Sequence, residues 1–167
     1  MKVQFTLLPA LLLQAATASA ACSLDTGLEP FRINEGAVSS DALPDTMEAP
    51  KLKVESITRG IGGVPGSCDG TGILVVDLKW PGGDYKVDEV GFEFHVVAME
   101  SPYAVFPAEP VAVTSDKKRN EVLFMWPDDP PALQKPLVME VEVRGVTHDN
   151  LRGPPARFVV DSRQLDD

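Results

Sequence analysis

From about residue 50 to residue 161, apolar and polar positions alternate with a period of two, in short runs separated by clusters of Gly, Pro and Asp. Successive side chains of a strand point to opposite faces, so such runs predict half-buried β-strands. Leu52, Val54 and Ile57 mark the first strand. Ile73 to Trp80 is the second, with Leu74, Val76, Leu78 and Trp80 on one face, and Pro81-Gly82-Gly83-Asp84 stops it. Glu89 to Ala98 is the third, with Val90, Phe92, Phe94 and Val96 inward. A weaker strand is expected over Tyr103 to Phe106, where Pro107 and Pro110 limit pairing, and Val111 and Val113 mark a short one. Glu121 to Trp126 follows, stopped by Pro127-Asp128-Asp129-Pro130-Pro131. Leu137, Met139, Val141 and Val143 form the clearest alternation, and Ala156 to Asp161 is the last strand.

Pro and Gly interrupt every stretch that could carry a 3.6-residue stripe over three turns. The expected fold is therefore all-β: a two-sheet antiparallel β-sandwich over residues 50–162, with a short tail at 163–167. Residues 21–49 lack a clean period and carry Gly27, Pro30, Gly36 and Pro44 among scattered apolar residues. They read as an irregular N-terminal extension. On the second strand Ile73 and Val75 face away from the Trp80 side, which leaves an apolar pair near Cys68. The extension is expected to fold over that pair with Leu24, Leu28 or Phe31.

Residues 1–20 read as an export signal. Lys2 gives a positive start, Phe5 to Leu13 is apolar apart from Thr6 and Pro9, and Ala18-Ser19-Ala20 is a small-x-small cleavage site. The apolar run is well short of the ~20 residues that span a bilayer. The expected location is outside the cytoplasm, periplasmic or secreted, with no transmembrane segment. An exported chain with exactly two cysteines most simply pairs them, Cys22 with Cys68. That bridge closes a loop of about 47 residues, for roughly 4 kcal/mol in the chain-entropy model. Lipidation of Cys22 is the minor alternative, but Ser19 stands where a lipoprotein signal carries Leu or a similar residue. A redox or metal-binding thiol has no C-x-x-C pair to rest on.

With a formal net charge of −10 over 167 residues, nucleic acid and anionic membrane surfaces are disfavoured partners. At 44% apolar residues the chain has material for a core. Nucleophilic catalysis needs a base, and only His95 and His148 could serve. His148 sits in an expected turn, His148-Asp149-Asn150, and no G-x-S-x-G elbow exists. The Gly-rich stretches Gly60 to Gly66 and Gly70-Thr71-Gly72 lack the Gly-Lys-Ser/Thr of a phosphate loop. They read as loops with positive φ. Asp128-Asp129 lacks the alternating ligands of a calcium loop and reads as a turn.

Two features resemble the fibronectin type III and related immunoglobulin-like domains. Trp80 followed by Pro81 looks like that family's core tryptophan. The strand Leu137 to Val146, followed by Asp149-Asn150-Leu151-Arg152-Gly153-Pro154, resembles its F strand and F–G turn. The family's usual F-strand tyrosine is absent, with Met139 and Val141 in its neighbourhood. The resemblance spans about residues 50–161 and implies binding or spacing rather than catalysis. It also implies that the third strand pairs with the F strand, which puts Glu93, His95, Glu140, Glu142 and Arg144 on one exposed face. Such a face is either solvated, with Arg144 paired to a Glu, or a Zn²⁺ or Cu²⁺ site built on Glu93, His95, Glu140 and Glu142.

The expectation is a non-catalytic, exported binding or scaffolding module with a protein partner in the envelope or extracellular space and no cofactor. Loops on such a sandwich carry recognition. The candidate contact residues are His148, Asp149, Asn150 and Arg152 in the F–G turn, then Tyr103 and Phe106. The alternatives are a protein inhibitor using the stiff Pro127 to Pro131 loop, a carbohydrate-binding module, and a metal carrier using His95. The scarcity of Tyr and Trp counts against a carbohydrate platform.

Overall fold

The computed structural model describes residues 24–43, 46–61 and 68–164. Residues 1–23, which include the expected export signal and Cys22, and the stretch 62–67 lie outside the described residues. The strands in chain order are β1 (Leu28–Pro30), β2 (Ser40–Asp41), β3 (Lys51–Thr58), β4 (Thr71–Lys79) and β5 (Val90–Met99). They continue with β6 (Val111–Val113), β7 (Arg119–Pro127), β8 (Val138–Thr147), β9 (Leu151–Arg152) and β10 (Ala156–Asp161). Two short 3₁₀ turns, Cys68–Gly70 and Val87–Glu89, precede β4 and β5. No helix among the described residues is long and apolar enough to cross a membrane.

Two sheets form. The smaller has the order β3-β4-β7, antiparallel throughout. The larger runs β1-β6-β5-β8-β9-β2, with β10 also on β8. This is the two-sheet, all-β class that the period-two runs predict. Leu74, Val76, Leu78 and Trp80 are sealed from solvent, as are Val90 and Phe92 from β5 and Val141 and Val143 from β8. The alternation thus chose the inner faces correctly, because a one-residue slip would turn each apolar set to water.

Each tryptophan lies against a glycine. A side chain at Gly145 of β8 would meet the Trp80 ring at 3.0 Å, and Trp80 also meets Phe92 edge-on at 5.8 Å between centroids. The Trp80 Nε1–H donates to the Tyr85 carbonyl at 3.0 Å, so its one polar atom is satisfied inside the core. Trp126 pairs in register with Gly72 and lies flat over it, so that a Cβ there would overlap the indole.

Four expectations change. Tyr103 to Phe106 forms no strand, since Pro102, Pro107 and Pro110 prevent laddering, yet Tyr103 and Val105 remain buried. Val96 is only half-buried because the register slips between Val96 and Ala98. The described glycines of the Gly-rich stretches, Gly60, Gly70 and Gly72, do not have positive φ. Glycine is needed at 72 for the room that a missing Cβ leaves. Finally, the extension sends Leu28 and Phe31, two of the residues expected on Ile73 and Val75, to the larger sheet instead. Its β1 pairs with β6 at one edge of the larger sheet, and its β2 runs parallel to β9 at the other.

Overpacking a full core typically destabilises by 1–3 kcal/mol. Gly72→Ala is therefore expected to lose about 2 kcal/mol in denaturant unfolding. Gly70→Ala, whose Cβ would meet nothing within 4 Å, should change stability by less than about 0.5 kcal/mol.

Candidate functional site

The outer face of the larger sheet gathers most of the residues with potential chemistry. β5 and β8 pair antiparallel, with Glu93 opposite Arg144, His95 opposite Glu142 and Ala98 opposite Glu140. Glu93, His95, Glu140, Glu142 and Arg144 therefore share one face. The carboxylates there are engaged by guanidinium groups. Arg152 holds Glu93 through two bonds of 2.9 and 2.7 Å. Arg144 and Arg157 both bind Glu142, and Arg157 reaches Glu140 at 3.2 Å. Hydrogen bonds from Arg157 and then Arg144 hold the Glu142 carboxyl below its ordinary range. Among the described residues, no group of three His, Cys, Asp or Glu side chains is arranged to hold a metal ion. The lattice of ion pairs is the arrangement observed.

The turn His148-Asp149-Asn150 joins β8 to β9, and its side chains bind the chain's own extension. The His148 ring stacks on Phe31, with centroids 4.2 Å apart and planes 22° apart. Its Nδ1 lies 2.6 Å from the Arg32 carbonyl, and a carbonyl only accepts, so Nδ1 carries the proton. Asn34 Nδ2 donates to Asp149 at 3.0 Å, and Asn150 Nδ2 donates to the Ala37 carbonyl at 3.0 Å. Asn150 takes φ of 67°, the left-handed turn conformation that Asn tolerates. Arg152 donates to Ser39 and Asn150 besides Glu93.

Tyr103 and Phe106 face inward. Phe106 stacks on Phe94 at 5.3 Å and meets Phe124 edge-on at 4.7 Å. Tyr103 is 9% exposed, and its hydroxyl donates to Asp129 at 2.9 Å. Burial pushes the Tyr103 phenol above its ordinary value. Of these two contact candidates, Tyr103 is buried and Phe106 half-buried, and both rings help fill the space between the sheets.

A polar cluster that the sequence reading missed is centred on Arg59. Its guanidinium grips Asp128 with bonds of 2.8 and 2.7 Å and donates to the Lys135 carbonyl at 2.9 Å. It also lies over the Tyr103 ring, 5.3 Å from the centroid. Gly60 N–H and Asp129 N–H complete the shell of Asp128, whose side chain is wholly buried. Gln134 Nε2 donates to the Gly60 and Asp129 carbonyls. Burial alone would raise the Asp128 carboxyl, but the bonds from Arg59 and Gly60 outweigh it and hold the group below its ordinary value. The stiff loop after β7 is thus pinned to the end of β3. The only signal in the sequence was an unremarkable Arg59 before Gly60.

The cysteine pairing rests on Cys22, outside the described residues. No protein-family model matches the chain, and searches of curated proteins and solved structures return no match.

Removing one partner of a buried ion pair strands the other, at about 3–5 kcal/mol. Arg59→Ala should therefore lose about 3 kcal/mol in chemical denaturation, whereas Arg119→Ala, whose side chain is 70% exposed on Asp77, should lose under about 1 kcal/mol. Acid stability gives a second check. Arg163 clamps Asp161 and lowers its carboxyl from 3.8 to about 2. A lowered folded-state value stabilises above the unfolded pKa and is lost as pH falls through the folded one. Between pH 3.8 and about 2, the stability of Asp161→Asn should fall less steeply than that of the unaltered chain.

Proposed function

We propose that this chain is an exported, non-catalytic binding module that engages a protein partner outside the cytoplasm through the outer face of its larger sheet. The observation that carries this reading is the bulge in β5. The register slip between Val96 and Ala98 inserts Val97, 39% exposed, before Ala98, which stands opposite the outward-facing Glu140. Val159 on β10, 58% exposed, lies across Glu140 from Ala98. Bulges re-aim side chains at functional positions, and an apolar patch rimmed by charge is typical of a protein contact. Here the rim is the lattice of Glu140, Glu142, Arg144 and Arg157.

A fibronectin type III-like sandwich is the scaffold that fits this role, and the pairing of β5 with β8 supports it. The export signal at residues 1–20 and the bridge between Cys22 and Cys68 belong to the same reading, which places the protein in a periplasm or extracellular space. The binding reading is favoured over a hydrolytic one by the surroundings of the two imidazoles. His95 is exposed opposite Glu142, and His148 is used on Phe31 and the Arg32 carbonyl.

A photo-crosslinking residue placed at Val159 is expected to give a discrete protein adduct in native envelope extract, and Val97→Glu in the same chain should abolish it. The same probe at Lys79, exposed on the smaller sheet, serves as control. Identical adducts from both positions, or none from Val159, would overturn the proposal.

A further inference from the structure

The opposite end of the same face is already occupied, and its occupant is a peptide. Residues 26–42 start beside β7 of the smaller sheet, cross the larger sheet, and bond to both through their backbone. Leu123 N–H donates to the Thr26 carbonyl at 2.9 Å and Thr114 N–H to the Gly27 carbonyl at 3.0 Å. Phe31 N–H bonds the Pro110 carbonyl at 2.9 Å, Asn34 N–H the His148 carbonyl at 2.8 Å, and Ala42 N–H the Arg152 carbonyl at 2.8 Å. The side chains from Arg32 onward are largely turned to water, with Val38 82% exposed. Phe31 and Ile33 face the sheet. Phe31, 8% exposed, packs with Ala112 and Val146, and Ile33 packs on the same small cluster. Gly91 floors this socket: a Cβ there would overlap the Phe31 ring before any other group. The His148 ring closes the socket from outside.

Backbone hydrogen bonds with one aromatic anchor, and an aliphatic residue two positions on, are how proteins read an extended segment. They read main chain, which any sequence supplies, and a ring that fits one socket. We infer that the surface formed by Gly91, Ala112, Val146, His148 and Asn150 is a peptide-binding site for extended segments of the type aromatic-x-aliphatic, occupied in cis by the chain's own residues 26–42. The cis segment holds the site through high effective concentration, which a short tether sets near the millimolar range. The strands it contributes are short, β1 of three residues and β2 of two, so a segment of matching chemistry can exchange with it. This inference stands whether or not the bulged end of β5 binds a partner.

The test uses the full chain and a fluorescent synthetic peptide covering residues 26–41. Phe31→Ala vacates the socket, and Asn34→Pro removes the amide that reaches the His148 carbonyl while leaving the sandwich core untouched. Near-ultraviolet circular dichroism of the buried tryptophans establishes that each variant is folded. Fluorescence anisotropy should show peptide binding at least tenfold tighter to these variants than to the unaltered chain. Gly91→Ala, which fills the socket floor, should bind no peptide, and a peptide with Phe31→Ala should bind none of the chains. No gain in binding by either folded, vacated variant overturns the inference. So does equal binding by Gly91→Ala, which would place the peptide elsewhere.

Discussion

The fold turns on two neighbouring residue pairs at one end of β5 and β8. Phe92 opposite Gly145 faces inward, and Gly91 opposite Val146 faces outward. The inner pair receives Trp80 and the outer pair receives Phe31. Each pair sets a glycine against a larger residue, so a ring can lie against the backbone on either side of a single sheet. Trp80, fully buried at the end of β4, thereby joins the smaller sheet to both central strands of the larger one. An indole buries 150–250 Å², which makes such a contact a large share of the energy between two layers. The same strands then offer their other face, at the same height, to the N-terminal segment. Alternation across a strand is what makes this possible: one register serves both the core and the surface site.

That dependence explains what could be read in advance. A buried face follows from period two alone, and so the inner residues of β4, β5 and β8 were legible. The joint exposure of Glu93, His95, Glu140 and Glu142 was legible too, once β5 and β8 were taken as neighbours. Their partners were not. Arg152 and Arg157 come from β9 and β10, and which carboxylate each meets depends on register, to within one residue. The bulge at Val97 has no sequence signal, because Val96, Val97 and Ala98 fit a continuous strand equally well.

The polar pins were hidden for a different reason. Arg59 and Asp128 are 69 residues apart, and neither belongs to a motif. Their pairing arises because β3 ends where the loop after β7 returns, a property of sheet order rather than local sequence. Burying that pair is costly in itself, and only the bidentate geometry with the added Gly60 and Asp129 amides offsets it. Removing either partner then strands a charge. A loop rich in proline is stiff but has no preferred direction. Here Arg59 and Gln134 supply the direction, tying Asp128 and Asp129 to the end of β3 while Pro130 to Leu133 stay exposed.

The turn after β8 spends its side chains inside the molecule: His148, Asp149, Asn150 and Arg152 all contact residues 31–42 of the same chain. Polar turn residues beside an open sheet face invite a partner, and the nearest candidate by concentration is always the chain's own terminus. Whether such a segment stays bound depends on what it buries. Phe31 and Ile33 are the only side chains of this stretch that enter the socket cluster, while the flanking bonds join backbone groups that water could also satisfy. A net hydrogen bond contributes only about 1 kcal/mol, so the segment's hold is concentrated on one aromatic ring. A surface that depends on one ring distinguishes ligands by that ring. The extension therefore belongs to the recognition chemistry of the sheet as much as to its fold.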